Sequence, residues 1–303
     1  MVIAGYMLLG LAAFLAVIQV LYIPASETGL PLEVAAKVEL WILLAGVQAA
    51  IWAMGVALVF REIKLLLTSP LGRDFLPGTG AILRVMVPPL ALMLLLFGAL
   101  AASLRPAFWT LQPYLERPNV LTAAGVAASL AAFCGVWFVH SLLDALAERL
   151  AQKPASSLQW FLLLREALSV FVGTAAVILA AGVLGSSTLR RAVLALRAAG
   201  EHLPDAAGRY TNNHFPLEHV ILFGLFFTLL IGLGYGPTHA RLLSTAAGLR
   251  ETLTPLSESE ESWKKRKELD QLLALPQMSL QSLGAVFGPV ASALLALLLP
   301  AGS

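Results

Sequence analysis

Residues 210–239 read YTNNHFPLEHVILFGLFFTLLIGLGYGPTH, and two opposite chemistries meet inside them. Tyr210, Thr211, Asn212, Asn213 and His214 form a belt of hydrogen-bonding side chains, Pro216 and His219 follow, and from Val220 to Gly234 only Thr228 is polar. A run this apolar gains by leaving water, and in lipid its backbone groups can be paired internally only as a helix or in a closed barrel. The run is continuous, without the alternation of short barrel strands. The stretch therefore predicts an interfacial polar collar of Tyr210, Asn212, Asn213, His214 and His219 feeding a membrane-spanning helix. Gly232, Gly234 and Gly236, ahead of Pro237, read as the end of that helix.

The theme repeats along the chain. Spanning a hydrocarbon layer of about 30 Å takes about 20 apolar residues of helix. Val2–Ile23, Val38–Phe60, Ile82–Leu104, Val120–Leu143, Ala167–Leu184, Leu217–Gly236 and Leu280–Leu299 meet that test. Composition agrees: the 303 residues are 58% hydrophobic and 13% charged, against about 25% charged in soluble domains. The mean hydropathy is +0.82. The expected fold is all-α: a polytopic integral membrane protein, one domain over 1–303, with a bundle of about seven transmembrane helices and short amphipathic surface helices. A net charge of +2 is too mild for a nucleic-acid partner. The first run has no basic residue before it and is long enough to span, so it reads as a retained helix rather than a cleaved signal.

Orientation follows from where Lys and Arg fall. The connections after the second, fourth and sixth runs, counted with Arg84 at the start of the third run, hold Arg61, Lys64, Arg73, Arg84, Arg149, Lys153, Arg165, Arg241, Arg250, Lys264, Lys265, Arg266 and Lys267, thirteen in all. The other side holds Lys37, Arg105, Arg117, Arg190, Arg191, Arg197 and Arg209, which is seven. The imbalance predicts a cell-membrane protein, of the inner membrane in a bacterium, with its amino terminus cytoplasmic and its carboxyl terminus external.

Between the spans, Ser187–Gly200 (STLRRAVLALRAAG) has a hydroxyl cap, helical spacing and a glycine stop. It predicts a short surface helix whose Arg190 and Arg197 share a face and meet lipid phosphate or a partner. Residues 237–279 read as a cytoplasmic loop containing SESEESWKKRKELDQLL. Glu260–Lys264 and Glu261–Lys265 have the favourable i, i+4 order for a helix. Lys264, Lys265, Arg266 and Lys267, beside Trp263, are candidates for holding anionic headgroups at about 1 kcal/mol each, or for meeting a cytoplasmic protein. His140 and Asp144 in WFVHSLLDALAERL share a helical face where the fourth span leaves the membrane. Gln19 and Gln48, each inside a span, read as hydrogen-bonding links to a neighbouring helix.

No reaction is fixed by these residues. His202, His214 and His219 with Asp205 and Glu218 are ligand types that zinc uses, but their spacing places no two ligands on one helical face. A retinal Schiff base needs a lysine inside a span, and the last run has none. His140 and His219 sit at opposite ends of their spans and cannot face one haem iron. Ser129, Ser169 and Ser292 lack a deep histidine or aspartate to activate them. No cofactor is expected. The spans are also nearly free of the ionisable groups that mark ion coupling. The expected function is a non-enzymatic membrane module that oligomerises or perturbs the bilayer, as a pore-forming effector does, under control of a partner at the 237–279 loop. The alternative is a permease for a small neutral or lipidic solute. The partners expected are the bilayer, a second copy of the chain and that cytoplasmic protein.

Overall fold

The computed structural model describes residues 2–21, 31–75, 83, 86–95, 116–150, 152–200, 217–255, 259–273 and 287–295. Every regular element among them is an α-helix: α1 (Val2–Leu21), α2 (Leu32–Thr68), α3 (Pro70–Phe75), α4 (Glu116–Arg149), α5 (Pro154–Gly200), α6 (Leu217–Leu253) and α7 (Glu260–Leu273). Helical segments also cover Met86–Leu95 and 287–295. Five helices, α1, α2, α4, α5 and α6, are long and apolar enough to cross a membrane. The third and seventh runs read from the sequence lie mostly outside the described residues, which hold only those two shorter segments of them.

Helices α2, α4, α5 and α6 all run past their apolar runs, and the extensions of α5 and α6 correct two expectations from the sequence. Ser187–Gly200 is not a separate surface helix but the last turns of the 47-residue α5. Its Ala192, Val193 and Leu196 are buried. Ala192 packs with Leu21 of α1 and Trp41 and Ile42 of α2, so the apolar face that suggested a lipid surface is covered by protein. Likewise 237–279 does not begin as a loop, because α6 continues through Pro237 to Leu253. Pro237 removes one helix hydrogen bond and its ring crowds the carbonyl four residues earlier, but burial of Leu242, Ala246 and Leu249 holds the helix beyond it. The glycines before Pro237 therefore lie inside the helix, not at its terminus.

Packing fixes the directions of the helices. A Cβ at Gly46 of α2 would strike Phe14 and Ile18 of α1, and one at Gly10 would meet Met54. Those pairings run in opposite senses, so α1 and α2 are antiparallel. Gly55 of α2 lies against Thr174 and Ile178 of α5, and Gln48 lies against Gly182 and Gly185, which makes α2 and α5 antiparallel as well. Gly135 of α4 sits under the Phe171 ring of α5, while Gly234 of α6 sits under the Phe133 ring of α4 and Gly248 under Leu150. Helices α4 and α6 are thus parallel. The 287–295 segment crosses α6 at Gly224, against Ala293 and the Pro289 carbonyl.

These contacts put four changes of chemistry at one level. Leu40–Phe60 of α2, Pro118–Val139 of α4, Ala167–Leu189 of α5 and Val220–Thr238 of α6 carry no Asp, Glu, Lys, Arg or His. Each is about 20 residues, or about 30 Å of helix. The first such residues beyond them at one end are Arg61, His140, Glu166 and His239. The pairings Gly55–Thr174, Gly135–Phe171 and Gly234–Phe133 bring these four to a common plane. Past that plane the helices go on as a smaller bundle in which Leu66, Leu142, Leu146, Phe161, Leu164 and Leu249 are almost fully buried, in one core continuous with Val136, Val139 and Phe171 on the other side of the plane. α3 turns back onto that bundle. Ser69 caps it by accepting from the Gly72 N–H at 3.1 Å, and Arg73 donates to the Thr68 carbonyl, the open end of α2.

Candidate functional site at the charged end of the bundle

The charged end carries two constellations, a docked helix and a polar belt beneath it. The docked helix is α7, whose start is set by local chemistry. The Ser259 hydroxyl accepts from the Ser262 N–H at 3.3 Å, and Glu260 and Glu261 lie in the first turn, where the helix dipole favours acids. Its inner face is Arg266, Leu269 and Leu273, all buried.

Arg266 ties this helix to the end of α6. Its Nη1 donates to Glu251 Oε2 at 3.2 Å and to the Thr254 carbonyl at 2.9 Å, and its Nη2 donates to Glu251 Oε1. Two oxygens of one carboxylate facing one guanidinium fork is a directional arrangement that lysine cannot reproduce. Arg250 extends the network, donating to Glu251 Oε1 at 3.1 Å and approaching Asp270 of α7 at 3.5 Å. At the other end of α7, Arg165 of α5 donates to the Leu272 carbonyl at 2.8 Å. One open carbonyl of the last turn is thereby satisfied.

The basic run 264–267 therefore divides. Arg266 is turned inward, while Lys264, Lys265 and Lys267 are exposed, as is Trp263. Lys265 pairs with Glu261 at 2.7 Å, the i, i+4 contact expected from the sequence. Its hydrogen bond and charge hold the Glu261 carboxyl below the usual carboxylate range, and Glu261 in turn raises the Lys265 ammonium.

The belt lies between α4 and α6. His140 and Asp144 do share a face, with His140 Nε2 and Asp144 Oδ2 3.9 Å apart. What the sequence did not reveal is Arg241 of α6, whose Nε lies 2.5 Å from Asp144 Oδ1. Trp137 stands over His140 with ring centres 5.0 Å apart. One helix over, the Tyr235 hydroxyl meets His239 Nδ1 at 2.8 Å. Trp137 Nε1, His140 Nδ1 and Thr238 Oγ1 are buried atoms without a hydrogen-bond partner among the described residues. Thr238 is fully enclosed.

The other sequence candidates are dispersed. Arg190 and Arg197 are both on α5, and Arg190 is half-buried. Tyr210, Asn212, Asn213 and His214 of the collar lie outside the described residues, as does His202; His219 is in the first turn of α6. Among the described residues no three His, Cys, Asp or Glu side chains are grouped to hold a metal ion. Gln48 is buried against Gly185 of α5, whereas Gln19 is exposed on α1. Comparison with family models, with curated proteins and with solved structures finds no match, so the reading of this chain rests on its own residues.

Proposed function

We propose that this chain is a non-enzymatic multi-pass membrane module, controlled through a cytoplasmic helix, that oligomerises or perturbs the bilayer when that helix is released. The observation that carries the reading is the shared plane: four helices lose their ionisable residues at one level and regain them about 30 Å away. Leucines exposed between those limits, Leu222, Leu225, Leu229 and Leu233 on α6 and Leu40, Leu43 and Leu44 on α2, are suited to lipid contact. The charged end is then cytoplasmic by the distribution of Lys and Arg. The amino terminus lies on that side, because α1 is antiparallel to α2. With the Met86–Leu95 and 287–295 segments as parts of two further spans, the count is seven and the carboxyl terminus is external. The membrane is the cell membrane, the inner one in a bacterium.

In this reading α7 is the control element. It is held by directional polar contacts to α6 and α5, two of the helices that would cross the bilayer, so any partner that withdraws it pulls on both. A cytoplasmic protein acting on 237–279 is the proposed agent, and a second copy of the chain is the proposed assembly partner. Arg266→Gln imitates withdrawal by removing the fork. In vesicles loaded with dyes of several sizes, the wild type is expected to hold its contents and R266Q to release them. Saturable movement of one small neutral solute, with every dye retained by both proteins, overturns this reading in favour of a permease.

A further inference from the structure

We propose that the half-exposed Arg241–Asp144 pair of the polar belt between α4 and α6 binds the headgroup of an aminophospholipid, a phosphate ester carrying a primary ammonium. The inference rests on the reading of the bundle as membrane-embedded, and it concerns a site apart from the docked helix. The pair lies where α4 and α6 pass from uncharged to charged sequence, which is headgroup depth in that reading. It carries both signs of charge side by side. Arg241 forms an ion pair with Asp144, Nε lying 2.5 Å from Oδ1 without the alignment of a hydrogen bond, and the two Nη groups of its fork are the natural phosphate donors. Among the described residues Asp144 Oδ2 faces only His140 Nε2, at 3.9 Å, beyond hydrogen-bond length, and the Asp144 side chain is 49% exposed. That oxygen suits an ammonium.

The mixed charge selects among headgroups. A phosphatidylglycerol brings a phosphate but no cation, and Asp144 repels it. A phosphatidylcholine brings a cation that has no N–H to give Asp144. Phosphatidylethanolamine supplies both halves.

The test is native mass spectrometry of the full-length protein, delipidated in mild detergent and then offered phosphatidylethanolamine, phosphatidylcholine or phosphatidylglycerol with identical acyl chains. Wild type is expected to retain phosphatidylethanolamine several-fold over the other two. Asp144→Asn is expected to bring it down to the phosphatidylcholine level, and Arg241→Gln to reduce retention of all three, while Glu33→Gln, at an exposed position at the far end of α2, changes nothing. Equal retention of the three lipids by wild type, a preference for phosphatidylglycerol, or an ethanolamine preference that survives Asp144→Asn overturns the proposal. The wild-type comparison stands alone if either belt variant fails to fold. Extraction of the protein from membranes by alkaline carbonate would instead overturn the membrane-embedded reading; equal lipid retention by a protein that resists extraction overturns only the headgroup site.

Discussion

Arg266 and Lys267 are adjacent and carry the same charge, yet one is enclosed by protein and the other is exposed. By letters alone the four basic residues look equivalent, and a solvated or lipid-facing patch is the natural reading. Helical phase is what separates them: Arg266 precedes Leu269 and Leu273 by three and seven residues, so all three share a face. That signal was present in the sequence. The link from Asp144 to Arg241 was not, because each residue's partner lies on another helix and no local spacing marks it. Two predictions belong at this scale. Arg266→Gln is expected to open the α7 segment to limited proteolysis, while the double change Lys264→Gln and Lys267→Gln leaves protection as in wild type; the reverse order would mean that the exposed lysines hold the helix. Leu269→Ala, removing a side chain buried in the extended core, is expected to weaken α7 docking by about 2–3 kcal/mol. Hydrogen exchange of the α7 amides measures it, and an unchanged exchange rate would refute it.

Among the elements, the long helices were legible and their ends were not. Apolar runs mark the part of a helix that faces lipid or core, but continuation past the run depends on what the extension packs against. The last turns of α5 are held by α1 and α2, and the turns of α6 beyond Pro237 by Leu150 and its neighbours. Neither support is visible within the segment itself. The contact of α4 with α6 gives a direct check, since a Cβ at Gly234 would land on the Phe133 ring, whereas one at Gly232 would meet nothing within 4 Å. Gly234→Val is expected to destabilise the solubilised protein by about 1–3 kcal/mol through overpacking. Gly232→Ala is expected to be neutral or to stabilise by up to about 1 kcal/mol through helix propensity. Thermal unfolding of the two variants side by side measures the difference, and equal midpoints would show that the helices do not approach at Gly234.

At the scale of the molecule the sequence conveyed the class, an all-helical chain with several apolar spans, because hydropathy is a property of composition and run length. The common plane needed the structure, since it depends on which residue of each helix stands beside which residue of the next. Arg61, His140, Glu166 and His239 are scattered along the chain and come to one level only through the glycine contacts that set the helix stagger. The central claim is that this plane is the cytoplasmic surface of a membrane. Its most direct test is single-cysteine labelling in a Cys134→Ser background, which removes the chain's one native cysteine. Cysteines are placed at Glu33, Leu225 and Lys264, all exposed positions, at the far end, the middle and the charged end of the helices. With a membrane-impermeant maleimide, the account predicts labelling of Glu33→Cys in intact cells, of Lys264→Cys only after permeabilisation, and of Leu225→Cys in neither. Rapid labelling of Leu225→Cys would contradict embedding in a bilayer, and labelling of Lys264→Cys but not Glu33→Cys in intact cells would contradict the orientation.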